Sequence, residues 1–298
     1  MTTHEWPIQP PRRILLATDL GSHSDRALDR AAQLAGHWQA ALHVVHALRP
    51  PIAHTWWPSK VSDFSVTDGE IKAVERQIRR DLRAQIDDLH IHVDTGEPER
   101  VILDTAARHG CELIIMGASS PTFAGVVVNP TSAQLLRRAP QSILIVKARP
   151  HGGYRRVLIG TDYTDESRHG LKTAAGWFAD AELALMHVLD IPYKSLLLDG
   201  GRGREIARME RATMADFVAE THLPQALRRR IQTHVEYGYP EIMLRQHGID
   251  QDIDLTVIGA LRRGLAFHIF IGSNAARIVQ TVPGDILLVR KATARHAG

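Results

Sequence analysis

The chain repeats itself once, and this duplication limits its possible folds more than any other feature. Four blocks of the first half return in the same order in the second half, at offsets of 142 or 143 residues. The pairs are RILLATD (13–19) with RVLIGTD (156–162), HVDTGEPERVI (92–102) with HVEYGYPEIML (234–244), ELIIMGA (112–118) with DLTVIGA (254–260), and PQSILIVK (140–147) with PGDILLVR (283–290). A shared order and a nearly constant offset indicate two copies of one domain. Pro150, Gly152 and Gly153 interrupt the chain between the copies, so we expect domains at residues 1–150 and 151–298.

Each copy has the pattern of a doubly wound α/β domain. ILLAT, LIIMG and ILIVK are short, continuous apolar runs, as expected for strands buried on both faces of a parallel sheet. The segments between them have helical periodicity, and the first of these presents one apolar face formed by Ala27, Leu28, Ala31, Leu34 and Ala35. Strands that alternate with helices predict two tandem, Rossmann-like domains with parallel sheets.

Composition excludes several other classes of protein. A chain of 298 residues with 44% hydrophobic and 23% charged residues can bury two cores. No run approaches the ~18 apolar residues of a membrane span, and the N-terminus lacks the pattern of a signal peptide. The single cysteine, Cys111, lies in an apolar run and suits a reducing compartment, so we expect a core-edge residue and a cytoplasmic protein without a membrane partner.

Basic residues do not indicate a nucleic-acid partner. The formal net charge is +3, and the lysines and arginines are dispersed along the chain. The run LRRR at residues 227–230 comes just before a predicted strand, where a solvated helix end or loop is expected.

Ligands of open parallel sheets bind at the carboxyl ends of the strands, where the winding reverses direction. The residues at these positions are Asp19, Ala47 and Gly117 in the first half and Asp162, Val188 and Gly259 in the second half. An aspartate after the first strand can accept hydrogen bonds from adenine or ribose, or it can cap the next helix. Both roles stay open, although each half has other cap candidates in Ser22, Ser24, Thr164 and Asp165.

A phosphate loop needs converging backbone N–H groups, glycines and a helix N-terminus. The second half offers Gly259, Arg262, Arg263 and Gly264, followed by Gly272, Ser273 and Asn274 before an apparent helix. The first half offers Gly117, Ser119 and Ser120, but Pro130 stands where the second half has Gly272. Because proline has no N–H and a fixed φ, the first site is chemically weaker.

Together these residues resemble the universal stress protein family, specifically its tandem two-domain members, over nearly the whole chain. The resemblance implies a five-stranded parallel sheet, an aspartate after strand 1 and the GEP-type step at residues 96–98. The ATP-binding branch of that family carries GxxG, nine residues, then Gly-Ser or Gly-Thr. In that motif Arg262 replaces the second glycine of the second half, while Ser120 and Pro130-Thr131 replace two elements in the first half.

The resemblance implies a function as well as a fold. It places Asp162 and Val188 at the positions that contact adenine and ribose, and it implies halves that pack about a pseudo-twofold axis through their last strands. We therefore expect a stress-response or signalling protein that binds ATP, with magnesium, or AMP in its second domain. A nucleotide-free adaptor for protein partners and a slow ATP hydrolase are the alternatives, and two tandem chains can form a homodimer.

Sequence alone offers few other chemical sites. No GxSxG elbow, zinc signature or Walker lysine is present, so we expect no catalytic residues and no enzyme. His90 and His92 share a face of a predicted strand, whereas His43 and His46 point to opposite faces. No third ligand is placed beside His90 and His92, so we expect no metal site.

Two further segments receive structural interpretations. Trp56 and Trp57 lie beside the predicted crevice of the first half, where packing is favoured over a ligand. The glycine-rich segment DGGRGRE, residues 199–205, follows no strand closely and is expected to be a flexible loop.

Overall fold

A computed structural model describes residues 7–48, 67–82, 84–118, 121–122, 125–126, 130–189, 201–260 and 273–291. Both halves show the predicted alternation of strands and helices. The elements of the first half are β1 (Arg13–Ala17), α1 (Ser22–Trp38), β2 (Ala41–Leu48), α2 (Asp68–Asp81), β3 (Leu89–Thr95), α3 (Pro98–Arg108), β4 (Leu113–Gly117), β5 (Pro121–Thr122), β6 (Gly125–Val126), α4 (Pro130–Arg138) and β7 (Ser142–Val146).

The second half repeats this order, except that a short helix is added before its third strand and its described residues include no counterpart of β5 or β6. Its elements are β8 (Arg156–Thr161), α5 (Asp165–Trp177), β9 (Glu182–Leu189), α6 (Gly201–Glu220), α7 (Gln225–Arg228), β10 (Gln232–Tyr237), α8 (Pro240–Asp250), β11 (Leu255–Gly259), α9 (Ser273–Thr281) and β12 (Asp285–Val289). Within the described ranges, no helix is both long and apolar enough to cross a membrane.

Both halves share one ten-stranded sheet, with the order β10-β9-β8-β11-β12-β7-β4-β1-β2-β3. Its neighbouring strands are parallel except for β7 and β12, which meet antiparallel with Leu144 opposite Leu287. The strand order on one side of this junction mirrors the order on the other side, as a pseudo-twofold axis requires. The predicted fold class is therefore confirmed, including the pairing of the last strands.

Two apolar layers cover the faces of the sheet because alternate strand residues point to opposite sides. Ile14 and Leu16 face the layer that contains α1 and α5, and Leu15 faces the layer of α3, α4, α8 and α9. The predicted apolar face of α1 is buried at all five positions. Trp38 and Trp177 meet edge to face across the two halves, with ring centroids 5.6 Å apart.

Three local predictions can be compared with the fold. The loop predicted at residues 199–205 is wrong from Gly201 onward, because α6 begins there. Glycine weakens mainly helix interiors, and Met214 and Phe217 are buried further along α6 and anchor it. The helix end predicted at residues 227–230 is confirmed, since α7 ends at Arg228, and the exposure predicted for this run is seen at Arg229 and Arg230. Cys111 is buried, and burial raises its pKa to about 11, which fits a core-edge residue.

Candidate functional site

The turn after the first strand of each half is built around an aspartate. Asp19 Oδ1 accepts hydrogen bonds from the Gly21 N–H at 2.9 Å and from Ser24 Oγ at 2.6 Å. In the second half, Asp162 Oδ1 accepts from the Thr164 N–H at 3.2 Å and also from the Thr164 hydroxyl. Both aspartates therefore close the same kind of local turn with one carboxylate oxygen.

The residue after each aspartate adopts a left-handed backbone conformation. Leu20 has φ of 60° and Tyr163 has φ of 61°. A side chain with a Cβ costs roughly 1–2 kcal/mol in this region, and such residues collect at functional sites. The two halves share this costly conformation at equivalent positions, directly before the turn that leads into the first helix of each half.

A histidine near the end of the second strand holds each turn in place. His46 Nδ1 lies 2.9 Å from the Thr18 carbonyl oxygen, and His187 Nδ1 lies 2.7 Å from the Thr161 carbonyl oxygen. A carbonyl oxygen only accepts, so Nδ1 carries the proton in both rings. Sequence reasoning did not assign this role to His46 or His187, although both occupy the same place in the repeat.

An open crevice of about 600 Å³ lies at the carboxyl ends of β1, β2 and β4. This is the point where the winding of the first half reverses, and its volume is within the usual range of ligand pockets. The residues that line it include Thr18, Asp19, His46, Ala47, Gly117, Pro130, Thr131 and Ser132. The ends of three strands and the start of α4 thus surround one cavity, and Asp19, Ala47 and Gly117 all lie in its wall.

The second half brings its equivalent residues to the same edge of the sheet. Asp162 follows β8, Val188 lies near the end of β9 and Gly259 ends β11, while β8 lies between the other two strands. The helix α9 begins at Ser273 and includes Asn274. The predicted loop residues Arg262 and Gly272 lie outside the described residues, as do Ser120, Trp56 and Trp57 of the first half.

The glycines that end β4 and β11 have a structural explanation. A Cβ on Gly117 would lie 2.5 Å from the backbone oxygen of His23. A Cβ on Gly259 would overlap the backbone of Glu166 and Ser167 in the same way. The first helix of each half approaches the strand too closely for any side chain, so neither glycine by itself indicates a phosphate.

The electrostatics of the first crevice favour an ionised carboxylate. Burial raises the pKa of Asp19, but the hydrogen bonds from Ser24 and from the backbone of Gly21 outweigh it, and the net pKa is lowered. An ionised carboxylate only accepts hydrogen bonds. A ligand that contacts this carboxylate must therefore bring a donor, such as an amino or hydroxyl group.

The histidines of the third strand have a different environment from the one expected. His90 and His92 lie on one face of β3, as predicted, and His43 and His46 lie on opposite faces of β2. The expectation that no third ligand lies beside the β3 pair is wrong, because His43 and His109 surround His92. The contact depends on strand register and on the end of α3, which periodicity along one strand does not reveal.

Comparison with known proteins agrees with this geometry. The model of the Universal stress protein family matches residues 11–147 and again residues 153–290. The chain belongs to the universal stress protein family. Its two matched segments carry the strained aspartate turn, the histidine contact and the glycine-ended strand in equivalent places.

Solved universal stress proteins share the fold over nearly the whole chain. A universal stress protein from Archaeoglobus fulgidus DSM 4304 is 16% identical, with a TM-score of 0.63 over 94% of this chain and 98% of that one. A putative universal stress protein from Pseudomonas aeruginosa UCBPP-PA14 is 21% identical, with a TM-score of 0.64 over 95% of each chain. At these identities the likeness establishes the tandem fold.

Proposed function

We propose that this universal stress protein acts in stress response or signalling by binding one adenine nucleotide, ATP or AMP, in its second domain. The observation that carries the proposal is the turn at Asp162, which is strained at Tyr163 and held by His187 at the carboxyl edge of the sheet. Its Oδ1 is occupied by Thr164, and among the described residues Oδ2 has no hydrogen-bond partner. In the proposed complex that oxygen accepts a hydrogen bond from a ribose hydroxyl or from the adenine amino group.

The frame around this turn supports the same conclusion. In the first half, an equivalent aspartate turn, histidine and strand end enclose about 600 Å³. The second half has the same elements in the same order, with Val188 in the place of Ala47. From this repetition we expect the second half to take a ligand with an apolar side and hydrogen-bond donors.

The starts of the two helices favour the second domain for phosphate. The helix α9 begins at Ser273, whereas α4 begins at Pro130. Proline suits a first helical position but brings no N–H to an anion, and the N-terminus of a helix binds anions through its free N–H groups. Arg262 and Gly272 would complete the phosphate contacts, since a guanidinium is a natural phosphate partner. Magnesium would accompany ATP.

Calorimetry with matched variants tests both the ligand and the domain. We expect one site per chain for ATP with Mg²⁺, or for AMP, and binding at least ~10-fold weaker in Asp162→Asn, because a charge-assisted hydrogen bond is lost. Asp19→Asn is the control, since it makes the same change in the first domain and leaves binding unchanged. Equal weakening by Asp19→Asn would move the site to the first domain.

A nucleotide-free adaptor is the second candidate function, and an exposed apolar face of α8 favours it. Tyr239, which precedes α8, and Ile242 and Ile249 within it are 57%, 51% and 50% exposed, and exposed large apolar side chains suit a protein partner. If calorimetric titration of the wild type with ATP or AMP shows no binding heat, nucleotide binding is rejected and the adaptor function remains. Hydrolysis is a separate outcome, which sustained phosphate release from saturating ATP would establish and Asp162→Asn would reduce.

A further inference from the structure

We propose that His43, His92 and His109 of the first domain bind one divalent transition-metal ion of the class represented by Zn²⁺. His43 is the third residue of β2, His92 is the fourth residue of β3, and His109 follows the last residue of α3. These three elements are neighbours in the fold although the residues are far apart in the chain. The site is separate from the crevice, which takes residues from the carboxyl end of β2.

The register of β2 and β3 brings the first two imidazoles together. His43 pairs with His90 and Val45 with His92, so His43, His90 and His92 point to one face of the sheet. The helix α3 packs on that face, and His109 at its end reaches the same place. His90 stays on the outside, where its Nε2 lies 2.7 Å from Asp88.

The distances suit a shared metal ion. His43 Nδ1 lies 3.0 Å from His92 Nε2, and one nitrogen of each of the three rings lies within 4.8 Å of the others. Zinc–nitrogen bonds of ~2.0–2.1 Å in tetrahedral geometry place ligand nitrogens roughly 3.3 Å apart. The observed separations bracket this value, so the three nitrogens lie close to the spacing that one shared ion requires.

Two imidazoles of the cluster, those of His43 and His92, have lowered pKa values, which favours the neutral form that binds metal. His43 is 5% exposed, and burial together with the charges of His90, His92 and His109 lowers its pKa to about 4. Burial, and then the charges of His109 and His90, also lower the pKa of His92. Neutral imidazole is the usual ligand of Zn²⁺, Cu²⁺ and Ni²⁺. Three protein ligands leave a fourth position for water, and His92 and His109 are only partly buried.

The second domain shows that the fold does not require this cluster. The positions equivalent to His43, His92 and His109 are occupied by Ala184, His234 and Gln251. His234 keeps one histidine neighbour, His247, at 4.5 Å between ring centroids. Two of the three ligands are thus absent from a domain with the same strands and helices, so packing alone does not explain the three histidines of the first.

Zinc titration of the untagged full-length chain, stripped of metal by a chelator, tests the proposal. Calorimetry is expected to show one Zn²⁺ per chain, and Co²⁺ is expected to give the visible absorption of a low-coordinate nitrogen site. His43→Ala and His109→Gln introduce the residues found at the equivalent positions of the second domain. Each is expected to weaken Zn²⁺ binding at least ~10-fold, because changing a residue that only contacts a metal ligand already lowers metal affinity by this factor. His234→Ala is the matched control and is expected to bind like the wild type.

Thermal unfolding supplies a readout that does not depend on the calorimeter. Zn²⁺ is expected to raise the melting temperature of the wild type and of His234→Ala, but not of His43→Ala with His109→Gln, because ligands stabilise only the state they bind. Circular dichroism checks that each variant is folded. If the double variant does not fold, His109→Gln alone replaces it in the test. Unchanged Zn²⁺ binding in the variants, or equal loss in His234→Ala, would overturn the proposal and assign binding to scattered surface histidines.

Discussion

At the scale of single residues, a buried lysine beside the junction of the two halves has a lowered pKa. Lys147 follows β7, and its Nζ donates a hydrogen bond to the Val282 carbonyl oxygen at 2.6 Å. Burial lowers its pKa to about 8 from the ordinary value of 10.5, and the charge of Asp285 offsets only part of this effect. The folded protein therefore holds an ammonium group at neutral pH at a cost in stability.

This cost predicts a pH-dependent difference between the wild type and Lys147→Met. Below pH 8 Lys147 is protonated in both the folded and the unfolded chain, so the full free-energy cost of burying its charge is present. Between pH 8 and 10.5 the folded chain loses this proton while the unfolded chain keeps it, so the stability of the fold rises with pH. The unfolding free energy of the wild type minus that of Lys147→Met should increase between pH 8 and 10, on the order of 2 kcal/mol.

Urea unfolding at the two pH values measures this difference. Lys72→Met removes an exposed ammonium group from α2 and is the control. A pH trend in Lys147→Met no different from that in Lys72→Met would contradict the assignment of the cost to Lys147.

At the scale of elements, the first helix of each half packs closely against the strand that ends in glycine. This packing explains two glycines that the family motif attributes to a ligand. The backbones of α5 and β11 meet at Gly259, and those of α1 and β4 meet at Gly117. Helix periodicity correctly predicted the buried face of α1, but it carries no information about how closely a helix approaches a strand.

Gly259→Ala is expected to lower the unfolding free energy by roughly 1–3 kcal/mol without any nucleotide, because its Cβ would overlap the α5 backbone. Gly36→Ala is the contrasting control, since Gly36 is exposed in the last turn of α1 with open space around it. It should raise stability by about 0.5–1 kcal/mol. Urea unfolding without ligand measures both, and a neutral Gly259→Ala would return that glycine to the ligand site.

At the scale of the whole molecule, a buried carboxylate links the two halves. Asp285 begins β12 and is 0% exposed. Its Oδ2 accepts from Tyr154 at 2.6 Å and lies 3.3 Å from Arg30 Nε, while its Oδ1 accepts from the Lys147 N–H at 2.8 Å. Burial and the charge of Asp285 together raise the pKa of Tyr154 well above its ordinary value, so its hydroxyl stays protonated as a donor.

Asp285→Asn is expected to lower the unfolding free energy by about 3–5 kcal/mol, because it leaves the buried Arg30 without its counter-ion. Glu182→Gln also removes one negative charge, but its side chain is 71% exposed and lies 3.9 Å from Arg156, so the expected change is below about 1 kcal/mol. Urea unfolding of both variants measures the difference. Equal effects would mean that Asp285 contributes no more than a surface ion pair.

The pseudo-twofold axis relates two cationic side chains, each of which contacts the other half. Lys147 contacts the end of α9 through the Val282 carbonyl, and the equivalent Arg290 donates to the Leu136 and Ala139 carbonyls at the end of α4. Each last strand is thus followed by a cation that satisfies the carboxyl end of the other half's last helix. One chain therefore closes on itself through contacts that neither half makes alone.

The sequence by itself determined the duplicated α/β architecture, since apolar periodicity and a near-constant offset depend only on order along the chain. It also located Asp19 and Asp162 at the carboxyl edge of the sheet, because that place follows from the end of a strand. The tertiary structure alone decided which distant side chains meet. Strand register joined His43 to His92, the end of α3 brought His109, and the antiparallel β7–β12 pair buried Asp285 against Arg30. Such contacts depend on distances between elements, which no pattern along one element contains.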